Sequence, residues 1–350
     1  MLQSIFLITV CIFGIVALEN RSFAGGKFQN PFKDNHSRHP RLAWGYSNRT
    51  NLTAAPFVVA VVLVEDGENS TRTYSLKCSG SIIHKEWVLT VTACLTDETN
   101  STVGVIAGAS DASGFYESSE NGTVQFRKPR RFIFHPSTWT NEELQPIRAA
   151  LIQVEQPFVF NTGIGRAVLR NEEWRKNKLT WEVSYFGMEI CTVHGWGFLA
   201  RLSETHQEPD LRNAKVLARY GRSACPCLGK IDERLFICAG GFGVPGGTCD
   251  GDVGGPLICR GSLAGVTVLR YKSDCSGFDE DPLSLPSCED TRAVSSFIYI
   301  CPVLKFINKH VPETTKASAI CKSPGSVDIS IELLILAIAT TIARPIMSFD

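Results

Sequence analysis

The sequence predicts an all-β protein, a barrel or a sandwich, and three observations carry that expectation. Short β-branched runs recur between turn residues from Ala54 onward. Long amphipathic patterns with helical spacing are absent. A helical spacing appears only late, where Val303, Phe306 and Ile307 fall on one face of residues 302–310 (PVLKFINKH).

Taken in order, the runs are FVVAVVLV (57–64), CSGSIIH (78–84), WVLTVTA (87–93), VGVIAGA (103–109), AALIQV (149–154), CTVHGWG (191–197) and LAGVTVL (263–269). Each has the length of a strand and a high content of Val, Ile or Thr. Residues 302–310 are the one expected helix, closing the folded region.

Composition narrows the class of function. With 44% hydrophobic and 20% charged residues the chain is globular and has material for a sizeable core. Thirty-five basic residues balance thirty-five acidic ones with no long block of either sign. That balance leaves no electrostatic footprint for nucleic acid or an anionic membrane.

Residues 1–18 read as a secretory signal peptide, with an apolar run from Ile5 to Val16 that is too short to span a bilayer. Its removal takes Cys11 and leaves twelve of the thirteen cysteines, an even number suited to disulfides in an oxidising compartment. Seven Asn-X-Ser/Thr sequons agree with a secreted glycoprotein: Asn20, Asn35, Asn48, Asn51, Asn69, Asn100 and Asn121. Residues 19–41 are polar and cysteine-free, with Gly25, Gly26, Pro31 and Pro40, and read as a propeptide or linker.

Three segments carry chemistry, or its absence. CDGDVGGPLIC (249–259), KCSGSIIHKEWVLTVTACL (77–95) and RAALIQVEQPFVFN (148–161) together resemble the chymotrypsin/trypsin family of serine proteases, and the resemblance extends over residues 42–310. It implies a double six-stranded antiparallel β-barrel with a C-terminal α-helix. It also implies where a triad would stand, and there this sequence departs from the pattern. Val253 takes the place of the nucleophilic serine, Ala93 that of the histidine base, and Arg148 that of the aspartate. Valine and alanine carry no titratable or nucleophilic atom, and arginine is never a base, so the expectation is a pseudoprotease. His84, His135 and His194 fall on ordinary strand or loop positions and are expected to be surface or core histidines.

Around the substrate position the resemblance places Gly247 where trypsin-like members have an acidic specificity residue. Val268, Leu269 and Arg270 lie on the strand that would pair with substrate, and the Arg270 side chain is expected to fill or overhang the pocket entrance. Gly251 retains a potential oxyanion-hole amide. Arg41-Leu42 matches the zymogen cleavage junction, and Asp252 matches the aspartate that receives the new terminal amine.

The same resemblance implies the bridges Cys78–Cys94, Cys191–Cys259 and Cys249–Cys275, with Cys238 pairing to Cys225 or Cys227. The remaining member of that C-P-C and Cys288, Cys301 and Cys321 are expected to form two further bridges. The C-P-C spacing does not suit zinc, and neither metal nor cofactor is expected.

The domain is thus assigned to residues 42–312, followed by a C-terminal extension over 313–350. The uncharged run 333–343 would form a helix of about 16 Å against a hydrocarbon core of about 30 Å, so it is read as docking on the domain or a partner. Arg344 and Asp350 behind it argue against a lipid-anchor signal.

The expected function is that of a secreted, non-catalytic serine-protease homologue of insect type without a clip domain, binding an extracellular protease, peptide or receptor. A role in seminal fluid and reproduction is favoured. The alternatives are a cofactor in a haemolymph protease cascade and a residual serine-type hydrolase.

Overall fold

The computed structural model describes residues 48–66, 72–116, 122–136, 148–172, 174, 188–197, 210–221, 224–228, 235–241, 247–276, 286, 290–318 and 321. Arg41, Leu42, the signal and linker segments, Cys288 and the apolar tail lie outside them.

Among the described residues, fourteen strands form two antiparallel sheets. The first contains β2 (Val58–Asp66), β3 (Arg72–His84), β4 (Trp87–Val91), β5 (Val103–Ala107), β6 (Gln125–Arg127), β7 (Pro129–Phe134) and β8 (Ala149–Val154), in the order β6-β5-β2-β3-β4-β8-β7. Only Lys128 separates β6 from β7, so one kinked strand supplies both edges and closes the sheet into a six-stranded barrel. Pro129, with no N–H to donate, sits at the register shift in that kink.

The second sheet contains β1 (Asn48–Arg49), β9 (Met188–Gly195), β10 (Arg212–Tyr220), β11 (Phe236–Gly240), β12 (Pro256–Cys259), β13 (Ser262–Lys272) and β14 (Ala293–Tyr299). Its order is β1-β10-β11-β14-β13-β12-β9, and pairing of β9 with β10 closes six of these strands on themselves. The expected double six-stranded barrel is therefore present, with the short β1 as an added edge.

The continuous apolar run of β2 has a physical reason. Val59 and Val61 point into the main core, while Val58, Ala60 and Val62 alternate into a second cluster with Ile106, Phe115 and Trp196. With both faces covered, no polar position is left to mark the strand's period of two. Gly104 in β5 has a similar cause, since a Cβ there would come within 2.3 Å of the Phe126 ring.

Two helices complete the described fold: α1 (Ser113–Tyr116), a single turn, and α2 (Ile300–His310). α2 begins two residues before the expected 302–310. Pro302 lies in its first turn, where a missing N–H costs no helical bond. Lys309 and His310 occupy the last turn, beside the negative end of the helix dipole. Beyond it, Asn308 Nδ2 donates to Thr314 Oγ1 (3.1 Å) and to the Thr315 carbonyl (3.0 Å), and Ser318 Oγ donates to Asn171 O (2.6 Å). The chain after His310 thus folds back onto the barrel.

The disulfides between described residues are Cys78–Cys94, Cys191–Cys259, Cys225–Cys238, Cys227–Cys275 and Cys301–Cys321. Cys225 rather than Cys227 is the partner of Cys238. The expected Cys249–Cys275 bridge is incorrect. β13 continues to Lys272, and the turn after it carries Cys275 to the loop holding Cys227, with the two Cα atoms 5.4 Å apart. Both residues adopt left-handed backbone (φ 71° and 62°), which tightens each turn enough for the sulfurs to meet. Cys249 is also disulfide-bonded, in a bridge other than the one to Cys275.

Candidate functional site

The three positions where a triad would stand are far apart in sequence, and the backbone brings them together. β4 ends in a 3-10 turn, Thr92–Cys94, that leaves Ala93 exposed. Thr92 N and Thr92 Oγ1 both donate to the Arg148 carbonyl, at 2.7 and 3.1 Å, and Val91 pairs with Ala149 at the start of β8. Ser79 N donates to the Val253 carbonyl at 2.8 Å, and Cys94 Sγ lies 3.8 Å from the same oxygen. Ala93, Arg148 and Val253 are thus neighbours at the junction of the barrels. The Val253 side chain is half-buried and packs against the core.

The 251–255 loop is held by β3 and β4. Ser79 Oγ donates to Gly251 O (2.8 Å), and Thr90 Oγ1 donates to Ser79 O (3.0 Å). Gly254 has φ +81°, and a Cβ on it would lie 2.2 Å from Thr90 Oγ1 and 2.3 Å from Ser79 O, so only glycine allows this approach. The anchoring roles of Ser79 and Thr90 were not apparent in the sequence, where small residues beside a cysteine carry no such signal.

Asp252 is buried. Its Oδ1 accepts Gly197 N at 2.9 Å and its Oδ2 accepts Cys249 N at 2.7 Å. Gly195 is required beside it, because a Cβ would fall 2.1 Å from Asp252 Oδ1. Gly247 is buried with φ +89°, and a Cβ there would meet Val216 Cγ1 at 2.6 Å. Close packing and backbone conformation together hold that position to glycine.

Next to it, Thr248 N and Thr248 Oγ1 donate to Ser295 Oγ at 3.3 and 2.6 Å. A register shift between Thr267 and Leu269 leaves Val268 out of the ladder with β14, while Ser296 Oγ donates to Leu269 O at 3.1 Å. Arg270 pairs with Ser295, and its side chain turns inward, leaving the residue only 7% exposed. Its Nε donates to Pro286 O (2.7 Å) and its Nη1 to Thr248 O (3.0 Å).

The three histidines lie in separate settings. His84 Nδ1 accepts Glu86 N (3.3 Å), and its Nε2 is 3.6 Å from Glu313. His135 stacks edge-on against Phe306, and burial lowers its pKa. His194 is buried with Phe57 edge-on to its ring; desolvation lowers its pKa to about 4, and among the described residues its Nδ1 has no hydrogen-bond partner.

Among the described residues, Glu189, Cys191 and Cys259 have potential metal-ligating atoms within 4.8 Å of one another. The two sulfurs share a disulfide, and the carboxylate is held by Arg170 at 3.1 Å and Arg260 at 2.9 Å, so this donor set does not suit a metal. Cys225 and Cys227 of the C-P-C are likewise disulfide-bonded. Of the sequons, Asn48, Asn51 and Asn100 are exposed, and Asn20, Asn35, Asn69 and Asn121 lie outside the described residues.

Two closed antiparallel barrels, joined where the 251–255 loop meets β3 and β4, with a helix at the end of the second barrel, define the double-barrel architecture of serine proteases. The profile of the trypsin family matches residues 46–278, and the chain belongs to that family. Rat chymotrypsin-like elastase family member 1 is 27% identical over 206 residues, covering 57% of this chain and 70% of the relative. Trypsin of Simulium vittatum is 29% identical over 223 residues, covering 62% and 78%. Snake venom serine protease homolog 1 of Trimeresurus stejnegeri is 27% identical over 204 residues, covering 56% and 67%. The structure of mouse neuropsin, a serine protease, shares the fold with a TM-score of 0.53 at 20% identity, over 75% of this chain and 97% of that one.

Proposed function

We propose that this trypsin-family chain is a secreted pseudoprotease that acts by binding an extracellular protein rather than by cleaving one. The observation that carries the reading is the convergence of Ala93, Arg148 and Val253 at one point of the barrel junction. Acyl transfer by this family's route needs an oxygen nucleophile, an imidazole to take its proton and a carboxylate to orient the imidazole. A methyl group, an isopropyl group and a guanidinium supply none of these. Losing the nucleophile or the base alone costs on the order of 10⁶ in turnover, and only assistance from backbone amides such as that of Gly251 would remain.

The disulfide framework and the exposed sequons support an extracellular setting. The partner would be a protease, a peptide or a receptor, in seminal fluid or in a haemolymph cascade. Turnover of a broad peptide library by the secreted protein, before and after cleavage at Arg41, tests the reading. Background rates are expected in both forms, and library cleavage that survives removal of contaminating proteases refutes it.

A further inference from the structure

We infer that Arg270 is the resident ligand of the recess it borders: its guanidinium seals from within a site whose backbone carbonyls receive guanidinium groups. This deepens the proposed function, on which it rests, by assigning the Thr248 and Pro286 carbonyls an occupant from the chain itself.

The recess is built by β13, β14 and the 247–248 segment. The irregularity at Val268 alters the course of β13, and Arg270 then pairs with Ser295 while its side chain runs inward. The guanidinium reaches two separate pieces of chain, the Pro286 carbonyl through Nε and the Thr248 carbonyl through Nη1. Thr248 does not move freely to meet it. Its own N–H and hydroxyl are tied to Ser295 Oγ, so the accepting carbonyl is set in place by β14.

A planar fork of fixed donors suits two carbonyls on different segments, whereas an ammonium would act as a point charge. Gly247 cannot place a carboxylate in the recess, since its φ is +89° and Val216 crowds its Cβ direction. Among the described residues the guanidinium's hydrogen-bond acceptors are the Pro286 and Thr248 carbonyls.

A free guanidinium or an arginine-bearing peptide would make the same bonds, but it competes with a tethered one. A short tether corresponds to an effective concentration of about 1 mM or more, before any gain from fixed orientation. Wild-type protein consequently refuses arginine-bearing peptides at this recess, and a partner must dock elsewhere on the surface. Removing the side chain leaves the Thr248 and Pro286 carbonyls without those donors and opens a cavity shaped to the missing group.

Two experiments test the inference. In the first, native wild-type protein is treated with phenylglyoxal, which modifies accessible arginines, and the modified sites are mapped by mass spectrometry. Arg49, whose side chain is 75% exposed, is expected to react while Arg270 is spared until the protein is denatured. Modification of Arg270 at the pace of Arg49 overturns the inference. In the second, Arg270→Ala is melted with and without n-propylguanidinium, using n-propylammonium as the control. The melting temperature is expected to rise for the variant with the guanidinium alone, with no rise for wild type. A folded variant that gains nothing, or an equal gain in wild type, overturns it.

If Arg270→Ala is not secreted, the labelling of wild type decides alone. Neither readout depends on catalysis, so an open recess in an inert protein defeats this inference and leaves the proposed function standing. Turnover by wild type does the reverse.

Discussion

Acidification should destabilise this protein through His194, and the size of the effect follows from where the imidazole sits. The ring is buried against Phe57, and desolvation lowers its pKa from 6.5 to about 4. A base with a depressed folded-state pKa binds fewer protons in the folded than in the unfolded chain between those two values. Its contribution to stability is therefore complete above the unfolded pKa of 6.5, falls as pH drops below it, and is lost by about pH 4. The full shift corresponds to about 3 kcal/mol, of which about 2 kcal/mol is lost between about pH 7.5 and about pH 5. His135 and His310 also have lowered pKa values, so wild type alone cannot isolate the effect. The assay is urea unfolding of wild type and His194→Met at both pH values, with the two losses subtracted. The variant is expected to lose about 2 kcal/mol less than wild type on acidification. Equal losses would refute the reasoning, because the buried ring would then contribute no proton linkage. Glu98 and Asp111, whose pKa values are lowered by hydrogen bonds, act mainly below this window and largely cancel in the subtraction.

Three further expectations concern the site and its frame. Restoring the triad by residue type, with Ala93→His, Arg148→Asp and Val253→Ser together, should leave turnover at least about 10³-fold below an active trypsin, since substrate must also be held in register. Adding Arg270→Gly should then raise turnover more than any single triad replacement did, and efficient cleavage by the triple variant would contradict this. Denatured, unreduced mature protein should show no free thiol, whereas Cys227→Ser should release a thiol at Cys275, with tryptic mapping as the check. Gly195→Ala should cost about 1–3 kcal/mol in urea unfolding, because its Cβ must displace the Asp252 carboxylate; a neutral result would show that the carboxylate is not fixed by its two amide donors.

Much of the architecture was legible because burial leaves a local trace. The runs beginning at Phe57, Trp87 and Ala149 became β2, β4 and β8 with small changes at their ends. Other strands leave a weaker trace. In β14 (AVSSFIY) Ser295 and Ser296 are fully buried, and their hydroxyls pair with Thr248 and with the Leu269 carbonyl, partners that only the folded sheet supplies. β10 (RNAKVLARY) carries charged positions that reach solvent at the barrel wall, which dilutes its apolar alternation.

The site divides in the same way. Residue types at 93, 148 and 253 can be read in the sequence, but their meeting depends on the bonds from Thr92 to Arg148 and from Ser79 to Val253. The inward turn of Arg270 depends on carbonyls outside its own strand. Cysteine spacing left Cys225 and Cys227 interchangeable and gave no hint that the turn after β13 would deliver Cys275 to the C-P-C loop.

The central claim is that no nucleophile remains where this family places one. A fluorophosphonate probe reacts with an activated serine and with little else, and it can be applied to the purified chain, uncleaved and cleaved after Arg41, beside an active trypsin of equal concentration. The account predicts labelling of trypsin and none of this protein in either form. Stoichiometric labelling, traced by peptide mapping to a serine of this chain, would contradict it.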